Sequence, residues 1–402
     1  MQLFEREVML RKTMKTTTLL SILACLAAAG PATAGNAAGT DIGPVVDEAI
    51  RPLMQQYAIP GMAVAVTVDR RQYFYNYSVA SKETRKPVTS QTLFEIGSLS
   101  KTFTATLAAY AQADGALALS DSADKYLPSL QGSSFDKITL INLGTHTAGG
   151  LPLQIPENIK DTRQLMAYYK SWRPRHAAGT YRTYSNASVG MLGVIAAKSL
   201  NMSFDDALEK KLFPALGMMH SYLHVPAAQM AGYAQGYNKN DAPVRLNPGM
   251  LSSEAYGVKS NTADMIRFIE ANMDTTGLDD KLGRALMNTH TGYFKAGEMT
   301  QDLIWEQYPY PTELKQVLAG NSDAFIYQDV KAEALNPPLP PQANVLINKT
   351  GSTNGFAVYA AFVPARKIGV VIFANKSYPI APRVTAAYRI LTVLDAQAAS
   401  LK

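Results

Sequence analysis

Ser98 and Lys101 stand three residues apart in a segment where Gly97 can end an extended run and Phe103, Leu107 and Tyr110 recur at helical spacing. An i,i+3 pair shares one helix face, so the two side chains can meet. A serine hydroxyl is a poor nucleophile until a base takes its proton. A buried lysine, its pKa lowered by desolvation and by neighbouring cations, can be that base, and the helix N-terminus favours negative charge developing nearby. A Ser cap followed by an exposed Lys gives the same spacing without chemistry, so further groups are needed. Tyr184-Ser185-Asn186 supplies a phenol and a carboxamide where a loop runs into a helix. Lys349-Thr350-Gly351 supplies a cation, a hydroxyl and a position without a side chain at the end of a strand, where a ligand can approach backbone. Each motif is weak alone, and the ordered set is a strong signal that Ser98 is a nucleophile.

Other chemistries lack their residues. There is no H-E-x-x-H, no P-loop, no G-x-G-x-x-G and no G-x-S-x-G; the nearest string, Gly351-Ser352-Thr353-Asn354-Gly355, has Thr at its centre. The one i,i+4 histidine pair, His220 and His224, has no third ligand suggested and reads as structural or exposed. No metal and no cofactor are expected. Lys and Arg number 38 against 32 Asp and Glu, and they are scattered, so nucleic acid is not an expected partner.

The elements that must position these groups are legible at both ends of the 402-residue chain. Residues 41–57 carry Val46, Ile50, Leu53 and Tyr57 at helical spacing, stopped near Ile59-Pro60. Residues 61–68 and 72–80 are β-branched or aromatic runs separated by a hairpin-length turn; residues 344–349, 356–363 and 368–374 are three more strands. A last helix has Val384, Tyr388, Leu391 and Leu394 on one stripe. The expected fold is α/β of the α+β type: a mostly antiparallel sheet built from both termini and flanked by the first and last helices. A large, mainly helical lobe, residues 96–329, is inserted between sheet portions at 35–95 and 330–402. The Pro-rich stretch 336–341 reads as a stiff surface connection.

At the N-terminus, an apolar run from Leu19 to Ala29 follows Arg11, Lys12 and Lys15 and precedes Ala32-Thr33-Ala34, as in a secretory signal cleaved after Ala34. Met9 and Met14 each precede a complete signal, so either is an alternative start, with residues 1–8 or 1–13 an extension. Loss of residues 1–34 would remove the single cysteine, Cys25, and leave a net charge of +4, with no thiol for disulfide or catalysis. No other run is long enough to span a bilayer, so no stable membrane association is expected.

The ordered motifs Ser98-x-x-Lys101, Tyr184-x-Asn186 and Lys349-Thr350-Gly351 resemble those of the serine β-lactamase and penicillin-binding protein superfamily. Tyr184-Ser185-Asn186 in place of S-D-N, with no evident E-x-x-x-N, is similar to class C β-lactamases, the cephalosporinases of Gram-negative bacteria. Residues 59–66, 149–154, 254–259 and 348–356 support the likeness, which spans the mature chain. The resemblance implies a single periplasmic, monomeric catalytic domain over residues 35–402, of β-lactamase/transpeptidase-like fold, acting on small β-lactams.

It further implies that Ser98 is acylated and that the N–H groups of Ser98 and Ser352 form the oxyanion hole. The base is either a Tyr184 phenolate, held by Lys101 and Lys349, or neutral Lys101 with Tyr184 relaying the proton. Gln154, Asn186 and Tyr256 are implied as contacts to the substrate side chain, and Lys349, Thr350, Gly351 and Ser352 as contacts to the ring and its carboxylate. Two positions depart from the pattern: His146, where Tyr is usual, and Ile380, where many relatives have an Asn near the carboxylate. With Ile380 unable to donate, carboxylate recognition passes to Lys349, Thr350 and Arg383. A D,D-carboxypeptidase or other penicillin-binding protein is the nearest alternative. An esterase fits less well, because that group often lacks K-T-G, and a silent relative would not need the four intact groups.

Overall fold

The computed structural model describes residues 42–400, with side chains to residue 397; the apolar run 19–29, Cys25 and the cleavage site at Ala34 lie outside the described residues. Nine antiparallel strands form one sheet in the order Glu333–Leu339, Gly292–Ala296, Met299–Gln301, Glu306–Pro309, Val345–Ser352, Ala357–Val363, Ile368–Ala374, Gly61–Val68, Arg71–Ser78. The two ends of the chain meet at the pairing of Met62–Val68 with Ala374–Ile368.

The central strands are apolar on both faces because both faces are covered. Met62, Val64 and Val66 of one strand alternate with Ala63 and Ala65. The first set packs with Val46, Ile50 and Leu53 of the helix Gly43–Tyr57 and with Val384, Ile390, Leu391 and Leu394 of the helix Ile380–Ser400. The small alanines face the other way, into a core with Phe268 and Ile269 of the helix Thr262–Met273 and with Phe103 and Leu107 of the helix Lys101–Ala113. Short alanine side chains let that second layer approach closely.

Two expectations need correction. The segment 96–329 is not wholly a helical lobe: Gly292–Ala296, Met299–Gln301 and Glu306–Pro309 extend the sheet beyond the Val345–Ser352 strand. Gly297, at φ +56°, turns the strand Gly292–Ala296 back into Met299–Gln301. The Pro-rich stretch is no free connection either. Residues 336–339 continue the outermost strand, Glu333–Leu339, which pairs with Gly292–Ala296 through a register shift. Prolines are tolerated there because an edge strand leaves one row of N–H positions unpaired.

Among the described residues no single helix is long and apolar enough to cross a membrane.

Candidate active site

Ser98 lies in a tight 3-10 turn, Gly97–Ser100, that leads directly into the helix Lys101–Ala113. The turn is pressed against the end of the Val345–Ser352 strand. A Cβ on Gly351 would stand 1.9 Å from the Ile96 carbonyl oxygen and 2.9 Å from the Leu99 nitrogen. One on Gly97, itself at φ +50°, would stand 2.4 Å from the Ser352 carbonyl oxygen. Two glycines facing each other therefore bring the Ser98 turn and the K-T-G strand into backbone contact. Arg383, fully buried at the start of the last helix, fastens the strand end by donating to the Gly351 carbonyl at 2.9 Å and to the Ser352 hydroxyl at 2.7 Å.

Lys101 is fully buried and donates to Ser98 Oγ at 2.9 Å and to the Ala255 carbonyl at 2.8 Å. Tyr184 comes from the loop before the helix Asn186–Ser199, which Ser185 caps by accepting from the Ser188 N–H. Lys101 Nζ and Lys349 Nζ each lie 5.2 Å from the centre of the Tyr184 ring. Ser98 and Lys101 both favour the ionised form of the Tyr184 phenol.

Both Lys101 and Tyr184 are shifted toward their deprotonated forms. Burial pushes Lys101 down to about 8; Lys349 acts in the same direction, while Tyr184 and Glu306 oppose it. Burial alone would raise Tyr184, but Lys101, Lys349 and the Ser98 hydrogen bond bring it down to about 8, against Glu306.

Sequence reasoning missed Glu306 and Arg182. Glu306 Oε1 sits 3.4 Å from Lys349 Nζ and accepts from Arg182 at 3.0 Å, and all three side chains are buried. Arg182 is completed by Gln301 Oε1 at 2.7 Å and the Phe325 carbonyl at 2.6 Å. Only the sheet extension carrying Glu306 brings that carboxylate beside Lys349, so no local pattern marks it.

A cleft of about 1060 Å³ opens over these groups, and Ser98, Gln154, Tyr184, Asn186, Tyr256, Lys349, Thr350, Gly351 and Ser352 all reach it. Lys101 lies behind Ser98. Gln154 stands exposed at the rim, whereas Asn186 is buried with its Oδ1 free of any partner among the described residues. Tyr256 follows the short helix Ser252–Ala255, and its hydroxyl would lie 3.3 Å from a Cβ on Gly249 in the opposing loop. Ile380 and Arg383 line the same cleft. Among the described residues, no group of three or more His, Cys, Asp or Glu is placed to hold a metal ion.

The α/β architecture, with terminal helices on one face of the sheet and a cleft that gathers a Ser–Lys pair, a tyrosine and a strand-borne lysine, is that of class C β-lactamase structures. The Beta-lactamase family model matches residues 46–395. The chain belongs to the beta-lactamase family. A β-lactamase from Lysobacter lactamgenus is 52% identical over 346 residues, which cover 86% of this chain and 90% of that protein. A class C β-lactamase solved in complex with cefoxitin is 57% identical with a TM-score of 0.86, over 88% of this chain and 98% of that one. A Pseudomonas syringae protein described as a β-lactamase/D-alanine carboxypeptidase is 54% identical with a TM-score of 0.86, over 87% and 98%. Within the family the likeness is to class C, and the chain is a hydrolase.

Proposed function

We propose that this protein hydrolyses the lactam amide of cephalosporins and penicillins through an acyl-enzyme on Ser98, and that it confers β-lactam resistance. The observation that carries the reading is the 2.9 Å contact of Lys101 Nζ with Ser98 Oγ, with Lys101 Nζ and Lys349 Nζ each 5.2 Å from the centre of the Tyr184 ring. Ser98 Oγ forms a bond to the lactam carbonyl carbon as its proton passes to the Tyr184–Lys101 pair. The tetrahedral oxyanion is held by the Ser98 and Ser352 N–H groups; one such donor is worth roughly 100- to 1000-fold in turnover. The C–N bond then breaks and the nitrogen takes the proton from Tyr184. Water, deprotonated by the same pair, attacks the ester and returns Ser98 to its free form.

Asn186, Gln154 and Tyr256 hold the substrate side chain. Lys349 and Thr350 hold its carboxylate. Arg383 contributes to carboxylate recognition chiefly by fixing the Gly351–Ser352 strand end, since its guanidinium is already bonded there. The basic, apolar and small-residue order of residues 11–34 supports export to the periplasm, where the substrate is met.

The cefoxitin complex of a 57% identical enzyme supports a cephalosporin substrate. The carboxypeptidase description of another neighbour makes slow release of the same acyl-enzyme the second reading. Turnover of a chromogenic cephalosporin, with the intact mass followed in parallel, separates them. Rapid multiple turnover is expected, and it should vanish in Ser98→Gly while the fold is retained. A long-lived adduct would favour the carboxypeptidase, and full activity of Ser98→Gly would overturn the nucleophile.

A further inference from the structure

His146 touches three consecutive residues of the catalytic loop. Its carbonyl accepts the Thr183 N–H at 2.8 Å, its ring lies against the Tyr184 ring with centroids 4.4 Å apart, and its Nδ1 accepts the Ser185 N–H at 3.2 Å. The residue is buried and takes φ +61°, the left-handed region in which His is one of the better-tolerated side chains. Its neighbours are pinned. Thr145 Oγ1 donates to the Ile141 carbonyl at 2.8 Å and shares a 2.9 Å hydrogen bond with Thr147 Oγ1, which in turn accepts from Asn142 Nδ2 at 3.0 Å. The imidazole thus stands on a braced turn and packs against the Tyr184 ring that the two lysines also approach.

We infer that His146 is a positioning residue for the reaction, holding the Tyr184 ring and the backbone on both sides of it so that the phenol stays within reach of Ser98, Lys101 and Lys349. The inference rests on the role given to Tyr184 above. It requires Nδ1 to offer a lone pair, hence a neutral ring protonated on Nε2. Burial, with Arg182, Lys101 and Lys349 nearby, keeps the imidazole well below its ordinary pKa and so neutral. A displacement of Tyr184 by a fraction of an ångström weakens its contact with both ammonium groups, and rates fall steeply with such misplacement.

The contacts can be removed separately. His146→Phe keeps a ring and loses the acceptor; His146→Asn places Oδ1 near the position of Nδ1 and also tolerates a positive φ. The charged and titratable groups facing Tyr184 are Lys101 from the nucleophile helix, Lys349 and Glu306 from the sheet, Arg182 from its own loop and His146 itself. Neither substitution adds a charge. The experiment measures kcat, KM and the pH profile of kcat/KM with a chromogenic cephalosporin, together with melting temperatures.

His146→Phe is expected to lose roughly 10- to 100-fold in kcat with little change in KM, and to shift the ascending limb of the profile to higher pH. His146→Asn should recover most of both. Wild-type kinetics in His146→Phe would overturn the inference, as would equal losses in Phe and Asn with the limb unmoved. If His146→Phe does not fold, His146→Ala takes its place and must show the shift that His146→Asn lacks; identical profiles overturn the inference. Tyr184→Phe distinguishes the two levels. Its retention of full turnover would remove the reading of Tyr184 and the inference with it, whereas its inactivity beside an unaffected His146→Phe would sink the inference alone.

Discussion

Lys101 Nζ stands 2.9 Å from Ser98 Oγ, and the lysine is wholly shut off from solvent while the serine opens onto the cleft. The i,i+3 spacing sets the contact, and the surrounding layers remove the water that would otherwise keep the ammonium protonated.

Gly351→Ala should damage the site more than the removal of freedom from one glycine would suggest. The new Cβ would meet the Ile96 carbonyl oxygen and the Leu99 nitrogen, which are backbone atoms that cannot rotate away. We expect the strand to part from the Ser98 turn, kcat to fall about 100-fold or more as the proposed oxyanion donors separate, and the melting temperature to drop. Turnover and a thermal melt on the same preparation check this; an unchanged kcat would refute the close packing.

Lys349→Met should move the ascending limb of the kcat/KM profile to higher pH. Lys349 lowers both Lys101 and Tyr184, each of which sits at about 8, so its removal raises whichever group is the base. The sign is the same for either mechanism. A profile measured from pH 5 to 10 with an unmoved or acid-shifted limb would contradict the electrostatic account.

Glu306→Gln should act in the opposite sense. Glu306 raises Lys101 and Tyr184, so neutralising it shifts the limb to lower pH. It also strands Arg182 and Lys349 as buried cations without their carboxylate, a change that typically costs about 3–5 kcal/mol. Denaturant unfolding and the pH profile together test the pair of effects, and a variant as stable as the parent would show that Glu306 is not needed to balance the two cations.

Glu254 should make stability depend on pH. Burial, with Asp205 adding to it, pushes its carboxyl up to about 7 from an ordinary 4.5. Between those values the folded state holds the proton that the unfolded chain has released, so stability falls as pH rises through that window and stays lower above it. Glu254→Gln is therefore expected to melt higher than the parent at pH 8 and close to it at pH 4.5. Equal melting temperatures at both pH values would reject this.

Much of the architecture was legible locally. The strands Gly61–Val68 and Ile368–Ala374 fall where β-branched runs place them, and the first and last helices follow their apolar stripes. The strands at 292–309 were overlooked because three short pieces joined by tight turns carry little periodicity each. The edge strand at 333–339 was hidden by its prolines, which argue against a strand everywhere except at an edge.

Local sequence dictates which groups can react: a serine three residues before a lysine, a tyrosine just ahead of a helix and a lysine two residues before a glycine at a strand end. Those are local facts, governed by helix and strand periodicity. It takes the folded chain to make the groups meet, to let two backbones touch at Gly97 and Gly351, to balance Lys349 and Arg182 with Glu306, and to set His146 against Tyr184 from 38 residues away. The reason is physical. Burial, close approach and the strength of a charge pair depend on what packs around a residue, and in this chain the surroundings of each site residue come from segments remote in sequence.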